Sequence, residues 1–229
     1  MNEWFEKKKL AIVEADDFMD RWDRNGLNFL FYWKSKYPKF KITLFAIPGR
    51  TPNGFLDIVK CAGNDWMEFA VHGWEHESNF ECYGWDYEKT KALMQRIENT
   101  GKYVKIFKAP GWSITPGYNG YPASEKDALY SDPTAVYRAL TDMDYIIIDR
   151  HYNASVRPQN ARIACIDCNP DIVHFHTWNV PSTDPNGRNG FQDVEERFGV
   201  PWDNETEFYF ISEAWQRGLI KECKKLIPC

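Results

Sequence analysis

Residues Leu10–Asp17 have the sequence LAIVEADD, a short apolar run that ends in two adjacent carboxylates. An apolar run of this length predicts a buried strand, which we place at Lys9–Ala15. Polar side chains that directly follow a strand of a parallel sheet lie at its carboxyl end, where α/β proteins build their sites. Asp16 and Asp17 are therefore candidate site residues.

The same alternation of apolar runs and helical patterns continues along the chain. Six further apolar runs predict strands at Lys41–Ile47, Met67–Val71, Val104–Lys108, Tyr145–Ile148, Ile163–Ile166 and Ile172–Phe175. Helical patterns cover Phe18–Tyr37, Thr51–Cys61, Asp86–Asn99, Asp132–Thr141, Phe191–Phe198 and Glu205–Arg217. Strands that alternate with helices favour a mostly parallel sheet covered by helices. About seven units predict a single α/β domain of the (β/α) barrel type over residues 1–229, with an open doubly wound sheet as the alternative.

The composition excludes several classes of function. The chain has 28 Lys and Arg against 33 Asp and Glu, a net charge of −5, so it lacks the cationic surplus of a nucleic-acid binder. It contains no run of ~18 apolar residues, which excludes a transmembrane helix and predicts no membrane partner. The charged residues of Met1–Lys9 do not fit a secretory signal, so we expect a cytoplasmic protein whose six cysteines are reduced thiols. The sequence leaves the oligomeric state open.

The histidines are the most informative residues. Four of the five fall in two close pairs, each at the end of a predicted strand: His72 and His76 in HGWEH, and His174 and His176 in HFH. Two imidazoles and one carboxylate make a three-ligand site with room for a water molecule, the pattern of catalytic zinc or a related divalent ion. Together with the carboxylates after the first strand, they predict a metal-dependent active site.

The order of these motifs resembles that of the polysaccharide deacetylases with a NodB homology domain (carbohydrate esterase family 4), over about Leu10–Arg217. The matching stretches are Glu14–Asp17 for the T-F-D-D motif, His72–His76 for H-x-x-x-H, Phe107–Trp112 for the motif around R-x-P, Asp149 for a late aspartate and His174–His176 for the last histidine motif. The resemblance implies a distorted barrel of about seven strands. It also implies an enzyme that removes N-acetyl groups from an amino-sugar-containing glycan or oligosaccharide.

The resemblance assigns the metal and the base. Asp17, His72 and His76 would hold the ion, with zinc as the first expectation and cobalt or nickel as alternatives. Asp16 would be the general base that takes the proton of the attacking water, because two adjacent carboxylates can divide the work of ligand and base.

The resemblance also assigns the acid and the oxyanion donor. His176 would protonate the leaving amine. His174 lies two residues earlier and faces the same way on a strand, so the two histidines could exchange roles. The backbone N–H of Gly111 would help to bind the tetrahedral oxyanion.

Four residues in three motifs depart from the family pattern. Lys108 stands where the family has an arginine that pairs with the base, and lysine keeps the charge but loses the bidentate fork. Glu14 and Ala15 replace Thr-Phe, and His174 replaces a leucine. The departures leave open a hydrolase of another non-peptide C–N bond, or an inactive sugar-binding relative. An exposed charge is the alternative interpretation of Lys108, and a structural cap is the alternative for Asp149.

Aromatic residues make up 16% of the chain, with 10 tryptophans. Trp74, Trp112 and Trp178 lie within or beside the motifs, so we expect them to line the cleft and pack against sugar rings. The other seven tryptophans are expected to be core residues. An N-acetylated carbohydrate is thus the predicted partner.

Overall fold

In the computed structural model, the described part of the chain forms one parallel sheet flanked by helices; it comprises residues 10–19, 24–63, 65–114, 132, 134–150, 157–176 and 202–222. The strands are β1 (Leu10–Phe18), β2 (Ile42–Ala46), β3 (Met67–His72), β4 (Ile106–Lys108), β5 (Ile146–Asp149), β6 (Arg162–Cys165), β7 (Ile172–His176) and β8 (Glu207–Tyr209). The α-helices within these ranges are α1 (Arg24–Lys36), α2 (Asn53–Gly63), α3 (Tyr87–Glu98), α4 (Ala135–Asp142) and α5 (Ile211–Gln216). All seven predicted strands are present.

The sheet curls into a half-barrel. Its strand order is β6-β5-β4-β3-β2-β1-β7, with β8 also paired to β1, and each of these pairings is parallel. After α5 the chain reaches the opposite edge, where Glu222 forms an antiparallel bridge with Ala164 of β6. The architecture is the distorted (β/α) barrel that the sequence predicts, and not the open doubly wound sheet.

Two predicted boundaries are wrong near the ends of the chain. β1 continues to Phe18, so α1 begins at Arg24 and not at Phe18. The predicted helix Glu205–Arg217 contains a three-residue strand, β8, before α5. Three residues are too few to show a period in the sequence, and this strand exists because it pairs with the first residues of β1. The predicted helix Phe191–Phe198 lies outside the described residues.

Side chains alternate along each strand between the outer core, which packs against the helices, and the interior of the barrel. In β1, Val13 and Ala15 pack in the outer core with α1 and α2, whereas Ile12 packs inside the barrel. The interior apolar cluster includes Ile12, Phe45, Ala70, Ile106, Ile146, Ile148, Ala164 and Ile172. Because side chains alternate with a period of two, residues two and four positions after Ile12 also face the interior. The polar residues at the carboxyl ends of the strands therefore lie in the mouth of the barrel.

The aromatic residues fill the outer core. Trp33 is fully buried, and its ring centroid lies 4.1 Å from that of Phe29 and 4.9 Å from that of Trp202. Further ring contacts extend this cluster to Phe40, Phe175, Tyr37 and Phe208. Trp66 and Trp85 are also buried, which confirms the prediction that these tryptophans are core residues. Most of the aromatic excess is therefore structural.

One cysteine departs from the expected reduced thiols. Cys61, Cys82 and Cys165 are free, but Cys168 forms a disulfide whose partner is not among the described cysteines. Cys165 is buried at the end of β6, whereas Cys168 is only half-buried at the last position of the 3₁₀ turn Ile166–Cys168, a difference that the C-x-x-C spacing could not reveal. The cytoplasmic location stays a prediction. Within the described ranges, no helix is long and apolar enough to span a membrane.

A polar group of three side chains closes the base of the barrel against α5. The Thr43 hydroxyl donates to Glu68 Oε1 at 2.7 Å and accepts from the Ile211 N–H at 3.0 Å. Ser212 donates to Glu68 through its N–H at 3.2 Å and through its hydroxyl at 2.5 Å. Burial raises the pKa of Glu68, and the hydrogen bonds from Ser212 and Thr43 oppose that effect. These bonds fix the start of α5 on β2 and β3.

Thr43→Val is expected to lower the free energy of unfolding by about 1–3 kcal/mol, because it leaves the buried N–H of Ile211 and an oxygen of Glu68 without this partner. Urea unfolding measures the change. Thr43→Ser is the matched control, since it keeps the hydroxyl and removes only a methyl group. Equal losses in the valine and serine variants would assign the effect to packing and contradict the prediction.

Candidate active site

A bulge in β1 directs both aspartates into the mouth of the barrel. Ala15 pairs with Leu44 and Phe18 pairs with Ala46, so β1 contains one extra residue between these two pairs. The backbone of Asp17 has φ 62°, a conformation that is rare outside glycine. In a regular strand two adjacent side chains face opposite ways. Because the bulge adds one residue to β1, the adjacent side chains of Asp16 and Asp17 can both face the mouth of the barrel. Such bulges commonly re-aim side chains at active sites.

Asp17, His72 and His76 form a compact group of metal-binding atoms. Asp17 Oδ1 lies 3.3 Å from His72 Nε2 and 3.1 Å from His76 Nε2, and the three atoms lie within 4.8 Å of one another. Metal bonds of about 2.0–2.1 Å at a tetrahedral angle place ligand atoms about 3.3 Å apart. The spacing and the donor set, two imidazole nitrogens and a carboxylate oxygen, therefore fit a zinc-type ion.

The backbone orients His72 as a ligand. Its Nδ1 lies 3.1 Å from the carbonyl oxygen of Lys108 on the neighbouring strand. A carbonyl only accepts hydrogen bonds, so Nδ1 carries a proton, and Nε2 is the atom that would bind an ion when the ring is neutral. Burial lowers the pKa of His72, but the charges of Asp16 and Asp17 outweigh it and raise the pKa above its usual value. A backbone partner of this kind is typical of metal-binding histidines.

Glu81 holds the loop that carries His76. Its carboxylate accepts the N–H groups of three successive residues: Trp74 at 3.0 Å, Glu75 at 2.7 Å and His76 at 3.0 Å. Gly73 precedes them with φ +64°, and a Cβ there would lie 2.4 Å from Glu81 Oε2. No sequence motif identifies Glu81, whose only signal is that it is an acidic residue close after the histidine motif.

Glu81→Gln is expected to weaken zinc binding by about 10–100-fold, because the amide NH₂ cannot accept the loop N–H groups and the position of His76 loosens. Competition with a chromophoric chelator measures the affinity. Glu77→Gln is the control, since Glu77 is an exposed glutamate of the same loop. Equal zinc affinity in the two variants would contradict a role for Glu81 in positioning the loop.

Lys108 has no exposed surface, so the alternative interpretation of an exposed charge is wrong. Its Nζ lies 2.5 Å from Asp16 Oδ1 and 2.5 Å from Glu14 Oε2. The ring centroids of Phe45 and Trp112 lie 4.4 Å and 4.5 Å from the same atom. A charge buried this deeply needs paired carboxylates to offset the loss of hydration. Lys108 is therefore the cation that ties Glu14 to Asp16.

Asp16 is an ionised carboxylate. Burial by itself would raise its pKa, but the nearby charges of Lys108, His72 and His174 lower it to about 2. Lys108 pairs with Oδ1, while Oδ2 lies 3.9 Å from His72 Nε2 and 4.0 Å from His174 Nδ1. One oxygen is thus held by the lysine and the other is directed toward the histidines.

The two histidines of β7 lie at different depths. His174 pairs in register with Glu14, and His176 pairs with Asp16. His174 Nδ1 lies 2.8 Å from Glu14 Oε1, whereas His176 Nε2 lies 3.9 Å from Asp17 Oδ2. The His176 side chain is 34% exposed against 24% for His174. Burial lowers the pKa of His176, and the two aspartates partly oppose that effect. His176 is therefore the histidine at the mouth, and His174 lies one pleat deeper.

Three solved structures share this architecture. The Xyl-CE4 domain of a multidomain xylanase from the hindgut metagenome of Trinervitermes trinervoides matches with a TM-score of 0.51, at 16% identity over 93% of each chain. A family 4 acetyl xylan esterase from Clostridium thermocellum, solved with a cobalt ion, matches with a TM-score of 0.51, at 15% identity over 93% of each chain. A chitin deacetylase from Colletotrichum lindemuthianum matches with a TM-score of 0.52, at 12% identity over 91% of this chain and 88% of its own. The chain has the polysaccharide deacetylase fold. No protein-family model and no curated protein matches the sequence.

Within this deacetylase fold, the segment after β4 lies beside Lys108 and His174. Gly111 and Trp112 both have positive φ, at 58° and 60°. The ring of Trp112 contacts that of His174, with centroids 5.4 Å apart. Asp17, His76 and Trp112 are three of the four described non-glycine residues with positive φ, so most of this unusual backbone lies at the site.

Two further predicted site residues, Asp149 and Trp74, lie within the part of the chain that the structure describes. Asp149, at the end of β5, accepts hydrogen bonds from the Tyr137 hydroxyl at 2.6 Å and from Arg157 at 3.2 Å. Neither partner belongs to the metal group or to the Lys108 network. Trp74 is half-buried, and the guanidinium of Arg96 lies 4.7 Å from its ring centroid. Trp178 lies outside the described residues.

Proposed function

We propose that this protein is a metal-dependent hydrolase that removes N-acetyl groups from an amino-sugar-containing glycan or oligosaccharide. The observation that carries the proposal is the group of Asp17, His72 and His76 at metal-ligand spacing, with the ionised Asp16 beside it. The position of this group at the carboxyl ends of β1 and β3, in the mouth of the barrel, supports the proposal.

Asp17, His72 and His76 would hold the ion. Zinc is the first candidate, and cobalt and nickel suit the same donor set. Cobalt is the ion in the solved acetyl xylan esterase from Clostridium thermocellum. Such an ion, when bound, makes water a stronger nucleophile and polarises a carbonyl group.

The chain supplies the proton transfers. Asp16 Oδ2 takes a proton from the attacking water while Lys108 fixes Oδ1, so the base keeps one orientation. The water oxygen bonds to the amide carbon, and the N–H of Gly111 donates to the oxyanion. His176, in its protonated form, gives its proton to the leaving nitrogen as the C–N bond breaks, and the proton taken by Asp16 restores it. The products are acetate and the free amine.

Trp112 supports a carbohydrate as the substrate. Its ring is half-buried beside His174 and Lys108, and it follows Gly111 directly. An indole face packs against the C–H face of a sugar ring, and its N–H can donate to a hydroxyl group. An acetylated sugar held there would place its acetamide group beside the metal group.

Acetate release tests the proposed function. The purified protein, loaded with zinc, cobalt or nickel, is expected to release acetate from N-acetylated chito-oligosaccharides or a related glycan. Removal of the metal by a chelator is expected to abolish the activity, and added metal to restore it, because the ion supplies the nucleophile. The panel also contains acetylated xylan and small linear and cyclic amides. Turnover of those compounds alone, or activity that survives chelation, would contradict the proposal.

A further inference from the structure

Three of the four residues that depart from the family motifs meet in space. Glu14, Lys108 and His174 come from β1, β4 and β7, and they are 66 to 160 residues apart in the chain. One carboxylate joins them: Glu14 Oε2 lies 2.5 Å from Lys108 Nζ, and Glu14 Oε1 lies 2.8 Å from His174 Nδ1. Glu14 is fully buried. The three changes therefore form one polar unit beneath the predicted base.

The donors and acceptors of this unit follow from its chemistry. An ionised carboxylate only accepts hydrogen bonds, so His174 donates from Nδ1 to Glu14. Lys108 also only donates, and its 3.4 Å approach to the same Nδ1 is therefore not a hydrogen bond. Lys108 instead donates to Glu14 Oε2 and forms an ion pair with Asp16 Oδ1. The hydrogen bond from His174 fixes the orientation of the Glu14 carboxylate, and that carboxylate fixes the position of the Lys108 ammonium.

We propose that Glu14 and His174 are positioning residues that hold Lys108, and through it Asp16. A guanidinium fixes a carboxylate by its own planar fork, whereas an ammonium on a flexible stem has no preferred direction. Here Glu14 Oε2 holds the ammonium at the same 2.5 Å distance as Asp16 Oδ1, and the rings of Phe45 and Trp112 flank it. The unit gives a lysine the fixed geometry that an arginine has by itself. As a role in catalysis, the inference rests on the proposed function.

Two substitutions of His174 separate positioning from proton transfer. His174→Leu removes the donor to Glu14, and we expect kcat for acetate release to fall by about 10–100-fold with little change in KM. His174→Asn places an amide N–H near the position of Nδ1, and we expect it to keep most of the parent kcat. An asparagine cannot serve as an acid or base, so equal losses in both variants would overturn the proposal. A leucine variant as active as the parent would also overturn it.

Two further measurements do not depend on activity. A long-range ¹H–¹⁵N NMR spectrum of the zinc-loaded protein reports which ring nitrogen of His174 carries the proton. We expect a protonated Nδ1. A ring protonated only at Nε2 would contradict the hydrogen bond from His174 to Glu14, and this result does not depend on turnover of any acetylated substrate. Zinc affinity is expected to be the same in the parent, leucine and asparagine proteins, because the unit does not include Asp17, His72 or His76. A large loss of zinc affinity in the leucine variant alone would mean that His174 acts on the metal ligands and not on Asp16.

Discussion

Asp16→Asn is expected to lower the rate of acetate release by about 10²–10⁴-fold, the contribution of a positioned general base. The amide has nearly the shape of the carboxylate, and its oxygen can still accept from Lys108. It cannot take a proton from water. Because Asp17, His72 and His76 are unchanged, the affinity for zinc is expected to stay close to that of the parent.

Steady-state kinetics and a zinc titration on the same samples measure the two expectations. Asp17→Asn is the matched control, because it also replaces one carboxylate oxygen with NH₂, but at the neighbouring residue. We expect this variant to lose zinc affinity as well as activity. Unchanged turnover in the Asp16 variant would remove Asp16 as the base. Loss of zinc in that variant would instead make Asp16 a metal ligand.

Lys108→Met is expected to lower the free energy of unfolding by about 3–5 kcal/mol, because it leaves buried carboxylates without their cation. Methionine fills a similar volume, so the packing between Phe45 and Trp112 changes little. Glu14 is fully buried and Asp16 is 3% exposed, and neither can recover its hydration without opening the barrel.

Urea unfolding in the presence of a chelator measures this loss without a contribution from bound metal. The double variant Glu14→Gln/Lys108→Met removes one of the stranded charges and is expected to be more stable than Lys108→Met alone. Residues in one ion-pair network are expected to show such non-additivity. A single variant as stable as the parent would contradict the ion-pair network around Lys108.

The sequence predicted the strands and their order along the chain because apolar runs report burial directly. It also predicted that Asp16, Asp17 and the histidine pairs lie at strand ends. Parallel strands have their carboxyl ends at one edge, so a polar residue after each run points to a shared site. The predicted ligands Asp17, His72 and His76 are indeed neighbours.

Contacts between distant strands, and the conformations of loops, could not be predicted from the sequence. Lys108 could equally have been an exposed charge, and only its position inside the barrel shows that it is buried. Glu81 acts through a loop conformation that no spacing encodes, and β8 exists only because β1 offers it an edge. The burial of Lys108 and the existence of β8 depend on partners far away in the chain, and the role of Glu81 depends on the conformation of its loop; local composition carries no information on either.

The sequence by itself determined the period of the strands, the kinds of side chain at their ends, and therefore a parallel α/β fold and the chemistry available at the strand ends. The tertiary structure alone decided how those side chains are used. The bulge at Asp17 turned two adjacent carboxylates to one side, and strand register set His176 at the mouth and His174 one pleat below. The physical reason is that periodicity is a local property of the chain, whereas register, bulges and buried charge pairs are set by neighbours that folding brings together.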